Sequence, residues 1–305
     1  MDRKVVLAVN AGSSSIKVSL YTVEQARQDP VVIVHAQISD VTGPSPSLDY
    51  VRGSYKVKSE KIKGINSHED AFHHVLERLE TDTDLSEVSR KEDITDIVHR
   101  VVHGGDYPGH RVISSKTYHH IEELSNLAPL HNASALAIIK LCLEVLPNAT
   151  NSAHFDTSFH HTLPKHVRTY LVDPEVAENN RLRKYGFHGI SYAFITRSVA
   201  AFLGKKESEL NIIALHLGSG ASACAIQGGK SIDTTMGLTP LDGLPGATRS
   251  GSVDPSLAFH FSPKGNKEMH ISDVRSPNGS TRACMTDDSI GGVDSEQEKW
   301  LEGGR

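Results

Sequence analysis

The chain has 305 residues, 38% hydrophobic and 23% charged, with 32 Lys+Arg against 37 Asp+Glu and a formal net charge of -5. Those proportions belong to an ordinary globular protein and exclude a collagen, a coiled coil and a disulfide miniprotein. No run of one sign offers a footprint for nucleic acid or an anionic membrane, and no stretch of about eighteen apolar residues could span a bilayer, so small molecules or proteins are the expected partners. Cys142, Cys224 and Cys284 lie far apart with no C-x-x-C pair, and the opening apolar run is too short for a signal peptide. Both features suit a reducing, cytoplasmic setting.

Residues 4–9 and 15–21 read as two strands around the turn Asn10-Ala11-Gly12-Ser13-Ser14, a hairpin at the N-terminus. Residues 31–38 predict a third strand, followed by a Pro/Ser loop at 42–47 and a polar alternation at 54–62. Ser67, with Asp70 three residues on and Ala71, Phe72, Val75, Leu76 and Leu79 at helical spacing, predicts a capped helix. A buried strand is expected at 96–102, a long helix at 132–146 stopped by Pro147, strands near 149–155 and 167–172, and a helix near 190–203. Strands and helices interleave, which argues α/β. Val9-Asn10-Ala11-Gly12-Ser13-Ser14-Ser15 is echoed by Leu215-His216-Leu217-Gly218-Ser219-Gly220-Ala221, each after an apolar strand and before a small-residue strand. Such an echo suggests a duplicated domain with two N–H-rich turns facing each other across a cleft. Residues 263–305 are dominated by Gly, Ser, Asp and Asn without sustained period, and little packed structure is expected there.

Turns of Gly and Ser can aim several backbone N–H groups and hydroxyls at one anion, and residues 10–15 and 218–222 both qualify; an ordinary hairpin turn is the plainer alternative. Lys17 could add a charge to a phosphate, although a lone strand lysine is usually solvated. Gly218-Ser219-Gly220-Ala221-Ser222-Ala223 fits a dinucleotide pattern but leads into a strand rather than a helix, and Gly228-Gly229-Lys230-Ser231 lacks the first P-loop glycine, where Cys224 stands. The paired histidines do not have zinc spacing. His188 sits between glycines in Tyr185-Gly186-Phe187-His188-Gly189, where backbone can approach a ligand closely. Arg100 lies in a strand that reads as buried and needs an anion partner or an exit to a cleft. Arg249, in a glycine loop, has the fork that suits phosphate or carboxylate. Asp156 follows an apolar strand end, where α/β proteins often keep functional carboxylates. Two anion-cradling turns, two arginines, a histidine and a strand-end aspartate make a kit for phosphoryl transfer by charge neutralisation and alignment.

These residues resemble the acetate kinase family, within the larger group of sugar kinases, actin and the heat-shock ATPases. The likeness rests on Asn10-Ala11-Gly12-Ser13-Ser14-Ser15-Ile16-Lys17, His99-Arg100-Val101-Val102-His103-Gly104-Gly105, Leu127-Ala128-Pro129-Leu130-His131-Asn132, Phe155-Asp156-Thr157-Ser158-Phe159-His160, Tyr185-Gly186-Phe187-His188-Gly189, and the segment from Asp233-Thr234-Thr235-Met236-Gly237 to Thr248-Arg249-Ser250-Gly251, over about residues 4–262. It implies two duplicated actin-like, ribonuclease H-like domains with a cleft between them: a first domain at 1–150, a partial second at 151–262 and a non-family tail at 263–305. It also implies reversible phosphoryl transfer between ATP and acetate with Mg²⁺, and a homodimer. By the resemblance Asn10 helps hold the metal, and Ser13, Ser15, Lys17, His216, Leu217, Gly218, Ser219 and Gly220 contact nucleotide. Arg100, His131 and Phe187 meet the short carboxylate, and Asp156, His188 and Arg249 serve the chemistry. Acetate is already ionised at neutral pH, so Asp156 is expected to orient Arg249 or a metal-bound water rather than to act as a base.

Two positions depart from the family, which usually has Asn where Ser219 stands and His where Tyr192 stands. Members also run on for roughly another hundred residues, with a second adenosine-binding turn and a metal-side glutamate that residues 263–305 do not contain. Catalysis is therefore expected to be impaired, with uncovered apolar faces and unpaired strand edges. Two other readings stay open: a non-catalytic remnant that binds carboxylate or phosphate, and a kinase for propionate or butyrate.

Overall fold

The computed structural model describes residues 3–12, 14–24, 30–124, 129–247 and 249–257, without the side chains of 129–131. The first sheet begins with an antiparallel meander of β1 (Arg3–Ala11), β2 (Ser15–Glu24), β3 (Val31–Ser39), β4 (Ser47–Arg52) and β5 (Tyr55–Lys61). On its other edge β1 pairs in parallel with β6 (Asp96–Val101), β6 in parallel with β8 (Thr150–Phe155), and β8 with the short antiparallel β7 (Arg111–Val112). The sheet thus extends past residue 150.

Strict alternation explains the layer. Val5, Leu7, Val9 and Ala11 of β1, Ile16, Val18 and Leu20 of β2, and Ile97 of β6 are buried on one face, against α1 (His68–Thr81) and α3 (Pro129–Val145). The Ser67 hydroxyl accepts the Asp70 N–H and starts α1, whose Ala71, Phe72, Val75, Leu76 and Leu79 all enter this core. Each such fully buried large side chain contributes about 1.5–3 kcal/mol. Because strand residues alternate, the opposite face is left for Asn10 of β1, Lys17 of β2 and Arg100 of β6.

A second, three-stranded sheet is ordered β11 (Lys230–Thr234), β10 (Ala221–Gln227), β9 (Asn211–Leu217), antiparallel throughout. Its β9–β10–β11 meander repeats β1–β2–β3, as the sequence echo suggests. One face packs on α6 (Gly189–Leu203) through Ala214, Cys224, Ile226 and Tyr192. Along β9, Ile213, Leu215 and Leu217 are exposed, and among the described residues no strand pairs with its outer edge.

One expectation is corrected, and two elements go beyond the expectations. The strand expected at 167–172 is a helical turn, α4 (Lys165–Arg168), after Pro164, and Thr169 keeps a single bridge to Arg183. Proline fixes the φ of the turn's lead-in, and Leu171 has no core to face, being fully exposed. The loop at 42–47 delivers a further strand, β4, in which only Leu48 and Tyr50 are buried, too short an alternation to stand out. A helix not anticipated, α2 (Ser115–Leu124), is opened by the Ser114 hydroxyl accepting the Thr117 N–H. Two short helices, α4 and α5 (Pro174–Asn179), connect the sheets. The expectation of an unpacked tail at 263–305 lies outside the described residues.

The loop after β6 is clamped to α3 by Asn132, whose buried side chain accepts the His103 N–H and donates to the His103 carbonyl, both at 3.0 Å. Asn132→Ala is expected to destabilise the protein by about 2–6 kcal/mol, since it strands two buried backbone groups of His103 at about 1–3 kcal/mol each. A urea midpoint unchanged from the parent would contradict this.

Candidate active site

Parallel strands put their carboxyl ends at one edge of the sheet, the usual ligand-binding edge of an α/β fold. Asn10 ends β1, Arg100 lies at the end of β6, and Asp156 directly follows β8. Arg100 donates from Nη2 to Asp156 Oδ2 at 2.6 Å and from Nη1 to Asn10 Oδ1 at 3.2 Å. Burial works to lower the Arg100 guanidinium, but the Asp156 charge and hydrogen bond outweigh it, and its pKa is raised. The expectation that Asp156 orients Arg249 is thus corrected: its partner is Arg100, which reaches it along the sheet face.

Asp156 also fixes the second half of the site. Its backbone carbonyl accepts the Gly189 N–H at 2.8 Å, which docks the start of α6. A Cβ on Gly189 would stand 2.2 Å from that carbonyl oxygen, so only glycine permits the approach. The residue before it, His188, takes left-handed φ/ψ of 58° and 19° as the N-cap of α6. For a residue with a Cβ this is a strained conformation of the kind found at functional sites.

His188 lies on the ring of His216, centroids 4.0 Å apart and 24° from parallel. The His188 pKa is pushed down to about 4 by burial first and then by His216; Asp156 pulls it up, and Arg100 and Arg249 push it down. His216, whose Nδ1 is 3.0 Å from the Ser191 hydroxyl, is lowered by burial and by the same two guanidiniums, again against Asp156. Both rings are therefore neutral at pH 7. Arg249 donates from Nη1 to the Pro240 carbonyl at 2.7 Å, and a Cβ on Gly220 would fall 1.7 Å from its Nη2. No acidic partner is recorded for it among the described residues; burial and Arg100 both lower its pKa. Two guanidiniums and one carboxylate, Asp156 paired to Arg100, leave about one unit of positive charge. The site is built to receive an anion.

The structure brings together Asn10, Arg100, Asp156, His188, His216, Gly220 and Arg249. In the second turn the Gly218 N–H bonds the Gly220 carbonyl, and the Ser219 carbonyl accepts the Ala247 N–H. Lys17 sits directly across from Asn10 and is exposed, and the Ser15 carbonyl accepts the Gly12 N–H. Leu217 is exposed on β9, and Phe187 is buried with Val102, Tyr185 and Met236 behind the site. Ser13 and the His131 side chain lie outside the described residues. Sequence reading missed His160, whose buried ring is 2.8 Å from the Ser231 hydroxyl and 2.9 Å from the Phe187 carbonyl, bracing the strand into His188. It also took Ser222 as part of the turn, whereas it is a buried residue of β10. The available signal was the alternation of Ser222, Cys224 and Ile226, which puts it on the packed face.

A large sheet of antiparallel and parallel strands, its first meander repeated by a second sheet across the site, defines the actin-like ATPase fold. The Acetokinase family profile matches residues 5–277, and the chain belongs to that family. It is 56% identical over 279 residues to a probable acetate kinase of Chaetomium globosum, covering 88% of this chain and 61% of that protein. It is 55% identical over 281 residues to one of Neurospora crassa, covering 88% and 60%. The chain thus spans about three-fifths of the length of these curated relatives. Among solved structures, acetate kinase of Porphyromonas gingivalis superposes with a TM-score of 0.73 at 32% identity, covering 89% of this chain and 67% of that one. A propionate kinase of Francisella tularensis gives 0.78 at 30% identity, covering 99% and 74%.

His99, His160 and His188 are each pushed down to about 4, chiefly by burial. As pH falls below about 6.5 the unfolded chain takes up protons that these folded rings refuse, so stability is full above that pH and falls by about 1.4 kcal/mol per pH unit per histidine, levelling near the folded values. Urea unfolding followed from pH 7 to 4.5 should show this decline, and His160→Gln should make it shallower. A flat profile would contradict the burial of these rings as neutral groups.

Proposed function

We propose that this chain transfers the γ-phosphoryl group of ATP to acetate, reversibly, giving acetyl phosphate and ADP. The observation that carries the reading is the convergence of Arg100 and Arg249 on one cleft beside His188, with a single carboxylate, Asp156, paired to Arg100. Acetate, ionised with a pKa of about 4, needs no base. What it needs is alignment and relief of the repulsion between two anions. Arg100 spends two of its five N–H donors on Asp156 and Asn10 and keeps the others for the carboxylate. Arg249 neutralises charge on the oxygens of the transferring group; each guanidinium–anion pair at 4 Å is worth about 4 kcal/mol at an effective dielectric of 20. His188, being neutral, donates a hydrogen bond without adding charge. Asp156 keeps Arg100 in place, while Lys17 and the turn at 216–220 meet the nucleotide phosphates.

Among the described residues no group of three or more His, Cys, Asp and Glu could hold a metal, so an all-protein cage is not available there. Mg²⁺ typically keeps waters and substrate phosphates and takes only one or two protein oxygens, and the hard oxygens of Asn10 and Asp156 fit that role. When bound, it supplies charge neutralisation on the phosphates. No described helix is long and apolar enough to cross a membrane. A cytoplasmic setting rests on the cysteine usage, with Cys142 and Cys224 both free and buried. A homodimer rests on the family resemblance alone. Acetate and propionate differ by one methylene, worth about 1–3 kcal/mol, so a panel of short carboxylates defines the acyl preference.

The chain with ATP, Mg²⁺ and acetate is expected to form acetyl phosphate, and Arg249→Ala is expected to lower kcat on the order of 10³-fold with an unchanged melting temperature, the scale on which arginines act in phosphoryl transfer. Folded protein that binds nucleotide and acetate without turnover would replace this reading with the non-catalytic one.

A further inference from the structure

Ser222 is completely buried in β10, and its hydroxyl touches two rings: His188 Nδ1 at 2.8 Å and the Tyr192 hydroxyl at 2.5 Å. Tyr192, also completely buried, stands one turn along α6 from His188. No other hydrogen-bond partner of the Tyr192 or Ser222 side chain is found among the described residues.

The donors and acceptors can be assigned from this inventory. A phenol and a serine hydroxyl each have one proton, and a neutral imidazole has one N–H and one bare nitrogen. The Tyr192 hydroxyl has one hydrogen-bond partner among the described residues, so the phenolic proton has one acceptor within reach, Ser222 Oγ. Ser222 must then place its own proton, and a buried hydroxyl proton without an acceptor is costly. Its remaining partner is His188 Nδ1. That nitrogen is therefore the bare one, and the ring proton sits on Nε2.

Nε2 faces the notch between Gly220 and Arg249: a Cβ on Gly220 would stand 3.5 Å from it and 1.7 Å from Arg249 Nη2. With the proton on Nε2 the ring offers this notch a donor; with the proton on Nδ1 it would offer a lone pair, which repels an anion. Helical geometry does not set the ring, because His188 is in the left-handed region ahead of α6.

We propose that Tyr192 and Ser222 are positioning residues forming a relay, Tyr192 O–H to Ser222 Oγ and Ser222 O–H to His188 Nδ1, that fixes His188 in the Nε2–H tautomer and aims a neutral donor at the anion beside Arg249. No proton leaves the relay; it is an orienting device. For its kinetic consequence the inference rests on the proposed phosphoryl transfer, whereas the tautomer does not.

The test is histidine-selective ¹⁵N NMR on the whole 305-residue chain, with His188 assigned by a His188→Gln comparison, run beside kinetics of acetyl phosphate formation. The parent is expected to show His188 as Nε2–H at pH 7. In Ser222→Ala the Nδ1–H form should become populated, and kcat should fall on the order of tenfold at unchanged KM for ATP, less than the 10²-fold or more that outright loss of a transition-state donor costs. Tyr192→Phe, which leaves Ser222 free to accept from Nδ1–H, should move both readouts the same way. The Nε2–H form in a parent that transfers no phosphoryl group would uphold the relay and refute the proposed reaction. A parent found as Nδ1–H would overturn the relay whatever the activity, even if neither variant folds, and so would folded variants with parental tautomer and kcat.

Discussion

The contact on which the rest depends is the ion pair between Arg100 and Asp156. It joins the ends of two adjacent parallel strands, and removing one partner of such a pair costs about 3–5 kcal/mol where the other is left buried. Asp156 adds a second task through its backbone: its N–H bonds the Val101 carbonyl in the first sheet, and its carbonyl takes the Gly189 N–H of α6. A single residue therefore orients the guanidinium of one half of the cleft and sets where the helix of the other half begins. His188, one position before Gly189, inherits its place from that junction.

The electrostatics follow from the same arrangement. Two guanidiniums and one carboxylate leave an excess of positive charge, and the two stacked imidazoles beside them stay uncharged because burial and those cations both oppose protonation. The cleft can thus surround an anion with donors while its own charge stays near one. A third and a fourth cation in the same space would repel the two arginines and loosen the geometry that makes them useful.

Much of this was legible in the chain. The hairpin of β1 and β2 and the Ser67 cap of α1 follow from alternation and turn chemistry, and the N-terminal echo marked the second hairpin. Arg100 in an apolar strand announced a need for an anion, and His188 between glycines announced a close approach of backbone. The pairings were not legible. Arg100 meets Asp156 across 56 residues and His188 meets Ser222 across 34, and such partners are set by strand register and helix docking rather than by spacing. Helices α2 and α4 escaped for a local reason: one is a polar surface helix with few buried residues, and the other is one turn long.

Among the described residues β9 is paired on one side only, and its alternate residues Ile213, Leu215 and Leu217 leave one face of it exposed, which makes the two sheets unequal. Strands paired on both sides exchange their amide protons through global unfolding, whereas a strand paired on one side opens locally and more often. The turn at 218–220 and Arg249 against it belong to the less protected side, and Asn10 and Arg100 to the better protected one. An anion held between them bridges a firm wall and a looser one, and its binding energy is partly returned as order in the looser wall. A ligand bound there would also be a structural member, standing where the second sheet has fewest neighbours among the described residues.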